Sequence, residues 1–368
     1  MKIFEFKRIL PQIPNLVLKK KLCFEFEMLP FEVRNLSFKK RFNFFMAGLN
    51  QFFLPKRPFG YPVIAQVEPA NVCNLSCPLC LTASENDSRP RAVLSYDAFR
   101  AFIDDVGDYL LLIILWNWGE PFLNPDIFKM ISYAKQRGIL LHSSTNGNIR
   151  FSEEKAAQLV DSGLDSLIVA VDGVTQETYA RYRKGGNLET VLENIRTIVA
   201  VKKKKGAQTP RLTLRMVVTR HNEHEIARMR ALAQELEVDF FTIKTVAMSS
   251  APSGDLDQEY VPENKDYRMY EYDEKSFRRK KRPFVCMRPW KRLTLDALGE
   301  VIPCEYDYRN THSFGNVSRP ASTLGVWRGA VSKRFRKNFH RGHNDFYHCR
   351  ECVYKNRVAD DCTVERVL

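Results

Sequence analysis

The sequence predicts an α/β protein in which a partial (β/α)6 barrel is followed by a small cysteine-rich domain. Between residues 61 and 248, six short apolar runs alternate with amphipathic segments, whereas residues 249–282 are polar and charged with little apolar periodicity. Five of the nine cysteines then fall within the last 83 residues. Alternating strands and helices are typical of parallel βαβ units with right-handed crossovers, so the middle region is expected to curve into an open, TIM-like barrel.

The elements of this barrel can be placed from the hydrophobic pattern. Strands are expected at 62–67, 110–115, 140–144, 166–171, 211–218 and 240–246, and helices at 96–106, 126–136, 153–161, 188–201 and 223–236. Ser95 and Ser152 precede two of these helices and are expected to cap them, because a serine hydroxyl can accept a hydrogen bond from a free N–H of the first turn. In barrels of this type the chemistry gathers at the carboxyl ends of the strands.

Composition divides the chain into four predicted regions. Residues 1–60 are a basic arm with twelve Lys or Arg, four Glu and twelve of the 25 Phe residues; they carry most of the formal net charge of +14. Residues 61–248 form the barrel, 249–282 a connector and 283–368 the cysteine-rich domain. An odd cysteine count without a signal peptide argues against a secreted disulfide framework, so clustered thiols are expected to bind metal in a cytoplasmic protein.

The first cysteine cluster follows the first predicted strand. Cys73, Cys77 and Cys80 have the spacing Cys-x3-Cys-x2-Cys in CNLSCPLC. A closed zinc site normally requires four ligands, and no fourth Cys or His follows nearby. Three thiolates would leave one iron of a cubane cluster open to a small molecule; a zinc site completed by a distant residue is the alternative.

Short turn motifs follow the next strands. They are Trp118-Gly119-Glu120-Pro121, Ser144-Thr145-Asn146-Gly147, Val171-Asp172-Gly173 and, further on, Tyr182-Arg183-Lys184-Gly185-Gly186. Each motif alone is an ordinary turn. The order in which they follow the cysteine triad resembles the order of motifs in the radical S-adenosylmethionine (SAM) superfamily. Trp118 and Ala170 stand where that family has Gly and Ser.

The resemblance implies a [4Fe–4S] cluster on the triad, with SAM chelated at the open iron. Reduction would then cleave SAM to methionine and a 5′-deoxyadenosyl radical that abstracts a substrate hydrogen. The resemblance further implies that six residues bind the cofactor: Leu79 beside the adenine, Gly119 and Glu120 at the ammonium group, Asn146 in a nearby loop, Asp172 near the ribose and Arg183 at the carboxylate.

The late cysteines are similar to the SPASM/twitch extension of the same superfamily. Cys286 precedes a predicted hairpin with Gly299-x4-Cys304, and Cys349-x2-Cys352 supplies a distal pair. The resemblance implies one auxiliary [4Fe–4S] cluster on these four residues, with Cys362 as a substitute for one of them. A zinc ribbon is the alternative. Glu305 matches the place of an acidic residue in sulfatase-maturing relatives, which makes it the candidate catalytic base; a solvated hairpin residue is the alternative.

The arm contains an apolar stripe at helical spacing. Its members are Leu36, Phe38, Phe42, Phe45, Leu49 and Phe52. Steps of three and four place them on one helical face. Together with the basic residues, this face suits peripheral contact with an anionic membrane at the inner leaflet; packing against the open side of the barrel is the alternative. No stretch is long and apolar enough to span a bilayer, and no nucleic-acid-binding motif is evident.

The leading hypothesis is a radical SAM oxidoreductase that remodels a C–H bond of a sugar, a cyclitol or a lipid-linked or other small metabolite, with an electron donor such as flavodoxin or ferredoxin. A peptide-modifying maturase of the same superfamily is the first alternative. A zinc-binding interaction protein is the alternative from another class. The sequence does not distinguish among the substrates.

Overall fold

A computed structural model describes residues 12–84, 88–247, 254–318, 322–350, 352–358 and 362–367. Its strands are β1 (Leu22–Phe26), β2 (Leu29–Val33), β3 (Ile64–Val67), β4 (Leu112–Ile114), β5 (Leu140–Thr145), β6 (Ser166–Ala170), β7 (Arg211–Val218), β8 (Phe240–Thr245), β9 (Arg292–Leu295), β10 (Glu300–Ile302), β11 (Gly315–Asn316) and β12 (Cys362–Arg366). No helix among these residues is long and apolar enough to cross a membrane.

The α-helices are α1 (Ile13–Val17), α2 (Phe38–Phe53), α3 (Leu81–Ser84), α4 (Tyr96–Val106), α5 (Ile127–Gln136), α6 (Glu153–Asp161), α7 (Gln176–Tyr182), α8 (Leu188–Lys205), α9 (Ile226–Glu235), α10 (Gly254–Tyr260), α11 (Arg288–Lys291), α12 (Thr323–Arg328), α13 (Ala330–Arg341) and α14 (Tyr347–Arg350). Short 3-10 turns lie at Pro121–Leu123, Glu223–Glu225, Lys265–Tyr267 and His343–Asp345. The Ser95 and Ser152 hydroxyls accept hydrogen bonds from Ala98 N and Lys155 N, so both predicted caps are present.

The central sheet has the order β11-β10-β9-β3-β4-β5-β6-β7-β8-β12. Strands β3 to β8 run parallel, which confirms the partial six-stranded barrel. The second domain extends the same sheet, because β9 pairs in parallel with β3 and forms an antiparallel hairpin with β10. At the other edge β12 pairs antiparallel with β8. Side chains alternate along each strand, and Ala65, Ile113 and Leu141 are buried in the large helix-covered core.

The inner face of the sheet is covered by a hairpin from the predicted arm. Strands β1 and β2 pair in antiparallel register, and their apolar side chains pack against Ile64, Leu112 and Phe240. The two turn residues, Glu27 and Met28, have φ values of 48° and 65°. Positive φ at both central positions is the geometry of a type I′ turn, for which Asn-Gly is usual. The turn therefore carried no recognisable signal in the sequence.

Helix α2 packs on the molecule through a mixed face, in which polar residues are buried beside Phe44 and Ala47. Lys40, Asn43 and Asn50 are buried, and the Asn43 and Asn50 amides bind the backbone of Tyr61 and Gly60. The four phenylalanines of the predicted apolar stripe point the other way, whereas Leu36 is buried and Leu49 half-buried. Phe38, Phe42, Phe45 and Phe52 are exposed, with exposed fractions between 55% and 74%. The alternative that this stripe packs against the barrel is wrong for its phenylalanines, because buried hydrogen bonds of the two asparagines fix the opposite face of the helix.

The predicted connector has a core of its own. Tyr260, Val261, Met269, Tyr270 and Tyr272 are buried together with Leu79 and Val246 of the barrel. A buried ion pair between Asp257 and Arg279 (3.0 Å) lies against them. In the sequence, the many charged residues of this segment hide its apolar pattern. In the folded structure much of that charge is paired, which allows the apolar residues to form a core.

Candidate active site

The cysteine triad lies at the carboxyl end of the barrel. Cys73, Cys77 and Cys80 all line one cavity of about 270 Å³. The backbone N–H of Cys80 donates to the Cys77 carbonyl (3.1 Å), which folds the loop back on itself. Burial raises the pKa of Cys73 to about 11 and also raises the pKa of Cys77. A bound cation would overcome this cost, because metal coordination deprotonates a thiol.

The triad does not converge on a single point. Among the described residues, no group of three or more His, Cys, Asp or Glu side chains is arranged to hold one metal ion. The thiolates of a cubane cluster bind different iron atoms and so stand further apart than the ligands of one ion. The shared cavity is compatible with that wider spacing.

The turn after β4 joins two of the predicted motifs. Gly119 has φ of 87°, and a Cβ atom there would lie 2.4 Å from the Ala70 carbonyl oxygen, so only glycine fits. The buried Glu120 carboxylate accepts hydrogen bonds from the N–H groups of Phe122 (3.1 Å) and Asn146 (2.7 Å) and from the Thr145 hydroxyl (2.9 Å). Burial raises the pKa of Glu120. Glu120 therefore fixes the end of β4 to the end of β5.

Asn146 extends this connection to the triad. Its amide Nδ2 lies 3.6 Å from the Cys73 sulfur and donates to Asn74 Oδ1 at 2.9 Å. Leu79 lines the same cavity and is largely buried. The structure thus brings Leu79, Gly119, Glu120 and Asn146 together with the three cysteines.

Arg183 reaches the same cavity from the loop after α7. Its Nη1 lies 3.8 Å from the Cys77 sulfur, and its Nε donates to Asp172 Oδ2 at 2.5 Å. Asp172 is fully buried, and its other oxygen accepts from Val217 N (2.7 Å). Of the predicted cofactor residues, Asp172 is the one that does not line the cavity. It lies behind Arg183 and orients it, and its predicted position near the ribose stays a prediction.

Four of the late cysteines come together in the second domain. Cys286 and Cys352 each contribute to the raised pKa of Cys304 and of Cys349, so these two thiols both lie near Cys286 and Cys352. Burial raises the pKa of each thiol, that of Cys349 to about 12. Cys286 lies in the loop before α11, Cys304 two residues after β10, Cys349 in α14 and Cys352 two residues after it. Cys362 begins β12 opposite Lys244 of β8, and its side chain lies outside the described residues.

Glu305 lies between two arginines. Its Oε1 contacts Arg288 directly and Arg292 at 3.3 Å. Burial raises the pKa of Glu305, but Arg288 and Arg292 outweigh that effect and lower it to about 2. A general base works best with a pKa near the working pH, and the two arginines hold the pKa of this carboxylate below that range. The role of Glu305 as a base stays a prediction, whereas the alternative of a solvated side chain is wrong, because Glu305 is 6% exposed.

A second and larger cavity adjoins the triad cavity and reaches one of the late cysteines, Cys286. It measures about 540 Å³ and is here called the chamber. It shares Trp116, Asn117, Trp118, Lys244 and Tyr306 with the triad cavity, and Cys286 lines its far side. The chamber lining contains five cationic side chains and two carboxylates. The cations are Lys244, Arg288, Lys291, Arg292 and Arg357, and the carboxylates are Glu27 and Glu305.

The inner hairpin supplies part of the chamber wall. Phe26 and Glu27 line it, and Glu27 forms ion pairs with Arg215 and with Lys244 (2.8 Å). Burial raises the pKa of Glu27, but these two cations lower it below its ordinary value. Sequence reasoning missed both residues, because nothing near them resembles a motif.

Comparison with known proteins assigns the class. Residues 67–233 match the model of the radical SAM superfamily, and residues 286–353 match an iron–sulfur cluster-binding domain, SPASM. The chain thus contains a radical SAM domain, followed on its C-terminal side by a SPASM domain. The first domain implies an enzyme that uses SAM and a [4Fe–4S] cluster, and the second implies auxiliary iron–sulfur binding.

Several individual relatives share this class. An AdoMet-dependent heme synthase of Methanosarcina barkeri is 30% identical over 45% of this chain and 45% of its own length. A tungsten-containing aldehyde ferredoxin oxidoreductase cofactor-modifying protein of Pyrococcus furiosus is 25% identical over 71% and 79%. The PqqA peptide cyclase of Gluconobacter oxydans is 29% identical over 48% and 47%. The chain thus spans about half the length of two of these relatives.

A solved structure shares the fold. The Streptococcus suis protein SuiB, bound to the precursor peptide SuiA, has a TM-score of 0.57 at 12% identity. The match covers 91% of this chain and 79% of SuiB. At this identity the likeness concerns the fold alone.

Proposed function

We propose that this chain cleaves SAM reductively and abstracts a hydrogen atom from a substrate held in the chamber. The single observation that carries the proposal is that the two cavities adjoin: the triad cavity and the chamber share Trp116, Asn117, Trp118, Lys244 and Tyr306 as lining residues. A radical formed at the first cavity would therefore arise next to a molecule held in the second.

The proposed ligands are the residues that line the triad cavity. Cys73, Cys77 and Cys80 would hold the [4Fe–4S] cluster, which supplies the electron for SAM cleavage when an external reductant such as flavodoxin or ferredoxin has reduced it. Arg183, already oriented by Asp172, would bind the SAM carboxylate as a charge-assisted pair. Glu120 would act by holding the Asn146 turn in place, and Leu79 would offer apolar contact to the adenine.

The four late cysteines are the proposed ligands of one auxiliary [4Fe–4S] cluster. Cys286 belongs both to this set and to the wall of the chamber. A cluster there could accept the electron of a substrate radical, so an oxidative reaction would be balanced as one hydrogen atom to the deoxyadenosyl group, one electron to the cluster and one proton to a base. Glu305, ion-paired to Arg288 and Arg292, is proposed as a positioning residue and not as that base.

Peptides are the substrate class that the relatives favour, since one relative is named as a peptide cyclase and matches 48% of this chain. A small anionic metabolite, including a lipid-linked one, is the second candidate. The observation that favours it is the chamber lining, in which cations outnumber carboxylates. A cavity of about 540 Å³ has the size of a small-molecule site.

Deuterium transfer tests both parts of the proposal. Cells grown in heavy water provide deuterated extracts that are separated into peptides, small anions and lipids. Each fraction is incubated anaerobically with the reconstituted protein, SAM and dithionite, and 5′-deoxyadenosine is analysed by mass spectrometry. Deuterium in deoxyadenosine identifies the substrate fraction. No deoxyadenosine with any fraction, from a protein holding about eight irons, would contradict the proposed chemistry.

A triple Cys73→Ala, Cys77→Ala, Cys80→Ala variant is the matched control for the site. It should lose about half of the iron and all deoxyadenosine formation. The Cys23→Ala variant, whose thiol lies in β1 beside Glu32, should keep both. Deoxyadenosine formation by the triple variant would show that the cluster lies elsewhere.

A further inference from the structure

The exposed phenylalanines of the described chain are confined to one region. They are Phe38, Phe42, Phe45, Phe52, Phe53 and Phe59, here called the Phe face. Their exposed fractions lie between 42% and 74%. Large apolar groups scattered singly over a surface are normal, whereas a contiguous patch indicates an interaction site.

The fold holds this face outward. On α2, Phe38, Phe42, Phe45 and Phe52 follow one another at helical spacing, opposite the buried Lys40, Asn43 and Asn50. The Lys40 ammonium binds the carbonyls of Arg137 and Gly138 at 2.8 and 3.1 Å. Rotating the helix to hide the phenylalanines would break these buried hydrogen bonds, so the exposure is built into the fold.

The patch extends beyond α2 on both sides. Arg41 Nη1 donates to the Val17 carbonyl at 3.0 Å, which brings the exposed Val17 and Leu18 alongside the helix. At the other end Phe53 and Phe59 are in edge contact, with ring centroids 6.0 Å apart. The exposed Lys56 and Arg57 lie between these two rings in the sequence.

The chain segment that carries the face is basic, although Asp108 from outside the segment pairs with Lys39 at 2.8 Å. Residues 35–60 contain five Lys or Arg and no Asp or Glu. A protein partner would require a complementary acidic surface with an apolar centre, whereas an anionic bilayer offers both properties to any face of this kind. Aromatic residues that enter the headgroup region, with flanking cations on lipid phosphates, are the usual design of interfacial helices.

We infer that the Phe face docks the protein onto an anionic lipid surface, with Phe42, Phe45 and Phe52 inserted and Lys56 and Arg57 at the headgroups. This inference is independent of the proposed chemistry, since none of these residues lines the triad cavity or the chamber. A second copy of the chain is the competing occupant, and the following measurements distinguish the two.

Vesicle sedimentation with the full-length, iron-loaded protein tests the inference. Vesicles contain phosphatidylcholine alone or with about one-third phosphatidylglycerol. The wild type should sediment with the anionic vesicles, and less so at high salt. A Phe42→Ser, Phe45→Ser, Phe52→Ser variant should bind roughly a hundredfold more weakly, and Lys56→Glu, Arg57→Glu should lose the preference for anionic lipid.

A matched control replaces exposed apolar residues elsewhere. Val93 and Val331 are each 44% exposed, and a Val93→Ser, Val331→Ser variant should bind like the wild type. All variants should keep the wild-type iron content, which shows that they fold. Wild-type protein that stays in solution with both vesicles would overturn the inference. So would a dimer in sedimentation velocity that the triple Phe variant converts to a monomer.

Discussion

The Glu120 carboxylate accepts a hydrogen bond from the backbone N–H of Asn146 at 2.7 Å, and so ties the turn after β4 to the turn after β5. The same carboxylate accepts from Phe122 N, and the Asn146 side chain reaches the Cys73 sulfur. A single buried acid thus sets the relative position of two loops that border the triad.

Replacing Glu120 with alanine should weaken SAM binding and lower stability. The N–H groups of Phe122 and Asn146 would lose their buried acceptor, at a cost of about 1–3 kcal/mol each. Calorimetric titration with SAM under anaerobic conditions measures the first effect, and urea unfolding measures the second. Asp126→Asn is the control, because Asp126 pairs with Lys129 at the surface. Unchanged SAM affinity in Glu120→Ala would mean that the two turns hold their positions without it.

The buried Asp172–Arg183 ion pair should contribute far more to SAM affinity than the exposed Glu177–Arg181 pair of α7. Asp172→Asn keeps the size but removes the charge that aims Arg183 into the triad cavity, so SAM affinity should fall by about tenfold or more, since a buried charge is left unpaired. The control pair is Glu177 and Arg181, which are 3.2 Å apart and exposed. Glu177→Gln should change affinity and stability very little, because surface pairs contribute about 0–1 kcal/mol.

A direct role of Arg183 at the SAM carboxylate gives a different pattern from a purely structural one. Arg183→Lys retains the charge and loses the fork geometry that a carboxylate prefers. It should therefore raise the KM for SAM clearly while lowering the free energy of unfolding only slightly. Equal binding of SAM and its methyl ester by the wild type would contradict the direct contact.

The strands of the barrel could be predicted to within about two residues because each is a short apolar run. The hairpin β1–β2 could not, since Glu27 and Met28 adopt positive φ without the glycine that normally announces it. The contact between Asp172 and Arg183 could not be predicted either. Each residue belongs to a separate motif of the sequence, and only the tertiary structure brings the two side chains together.

The position of the second domain could not be predicted from the sequence either. Residues 292–295 are more than 200 positions from β3, yet they pair with it in parallel and bring Ala297 N to the buried Glu68 carboxylate at 3.1 Å. Arg89 binds the other oxygen of Glu68 at 2.7 Å, and Trp118 N also donates to that oxygen. Local periodicity detects apolar strands but carries no information about which distant edge they join.

Glu305 provides a prediction that separates positioning from base catalysis. Glu305→Gln leaves Arg288 and Arg292 without their buried partner, and breaking such a pair costs about 3–5 kcal/mol. We therefore expect a clear loss in urea stability and reduced iron retention near Cys304. The fraction of the Glu305→Gln variant that retains the cluster on the triad should still cleave SAM.

The competing role of Glu305 as a base would give another result. Removing a general base costs about 10²–10⁴ in rate, with stability near that of the wild type. Product formation measured against the pH of the assay would then lose one limb of its profile in Glu305→Gln. That combination would overturn the positioning role.

His142 should make the fold sensitive to mild acid. Its ring is fully buried against Phe26, Phe31 and Trp116, and burial lowers its pKa to about 3. Because the unfolded chain binds the proton near pH 6.5 and the folded chain does not, stability is complete above that pH and falls by about 1.4 kcal/mol per pH unit towards pH 3. Urea unfolding of the wild type and of His142→Phe between pH 7 and about 5 should show a shallower slope for the variant. His224→Phe is the control, since His224 lies in a polar turn after β7, and equal slopes for His142→Phe and wild type would contradict the assignment.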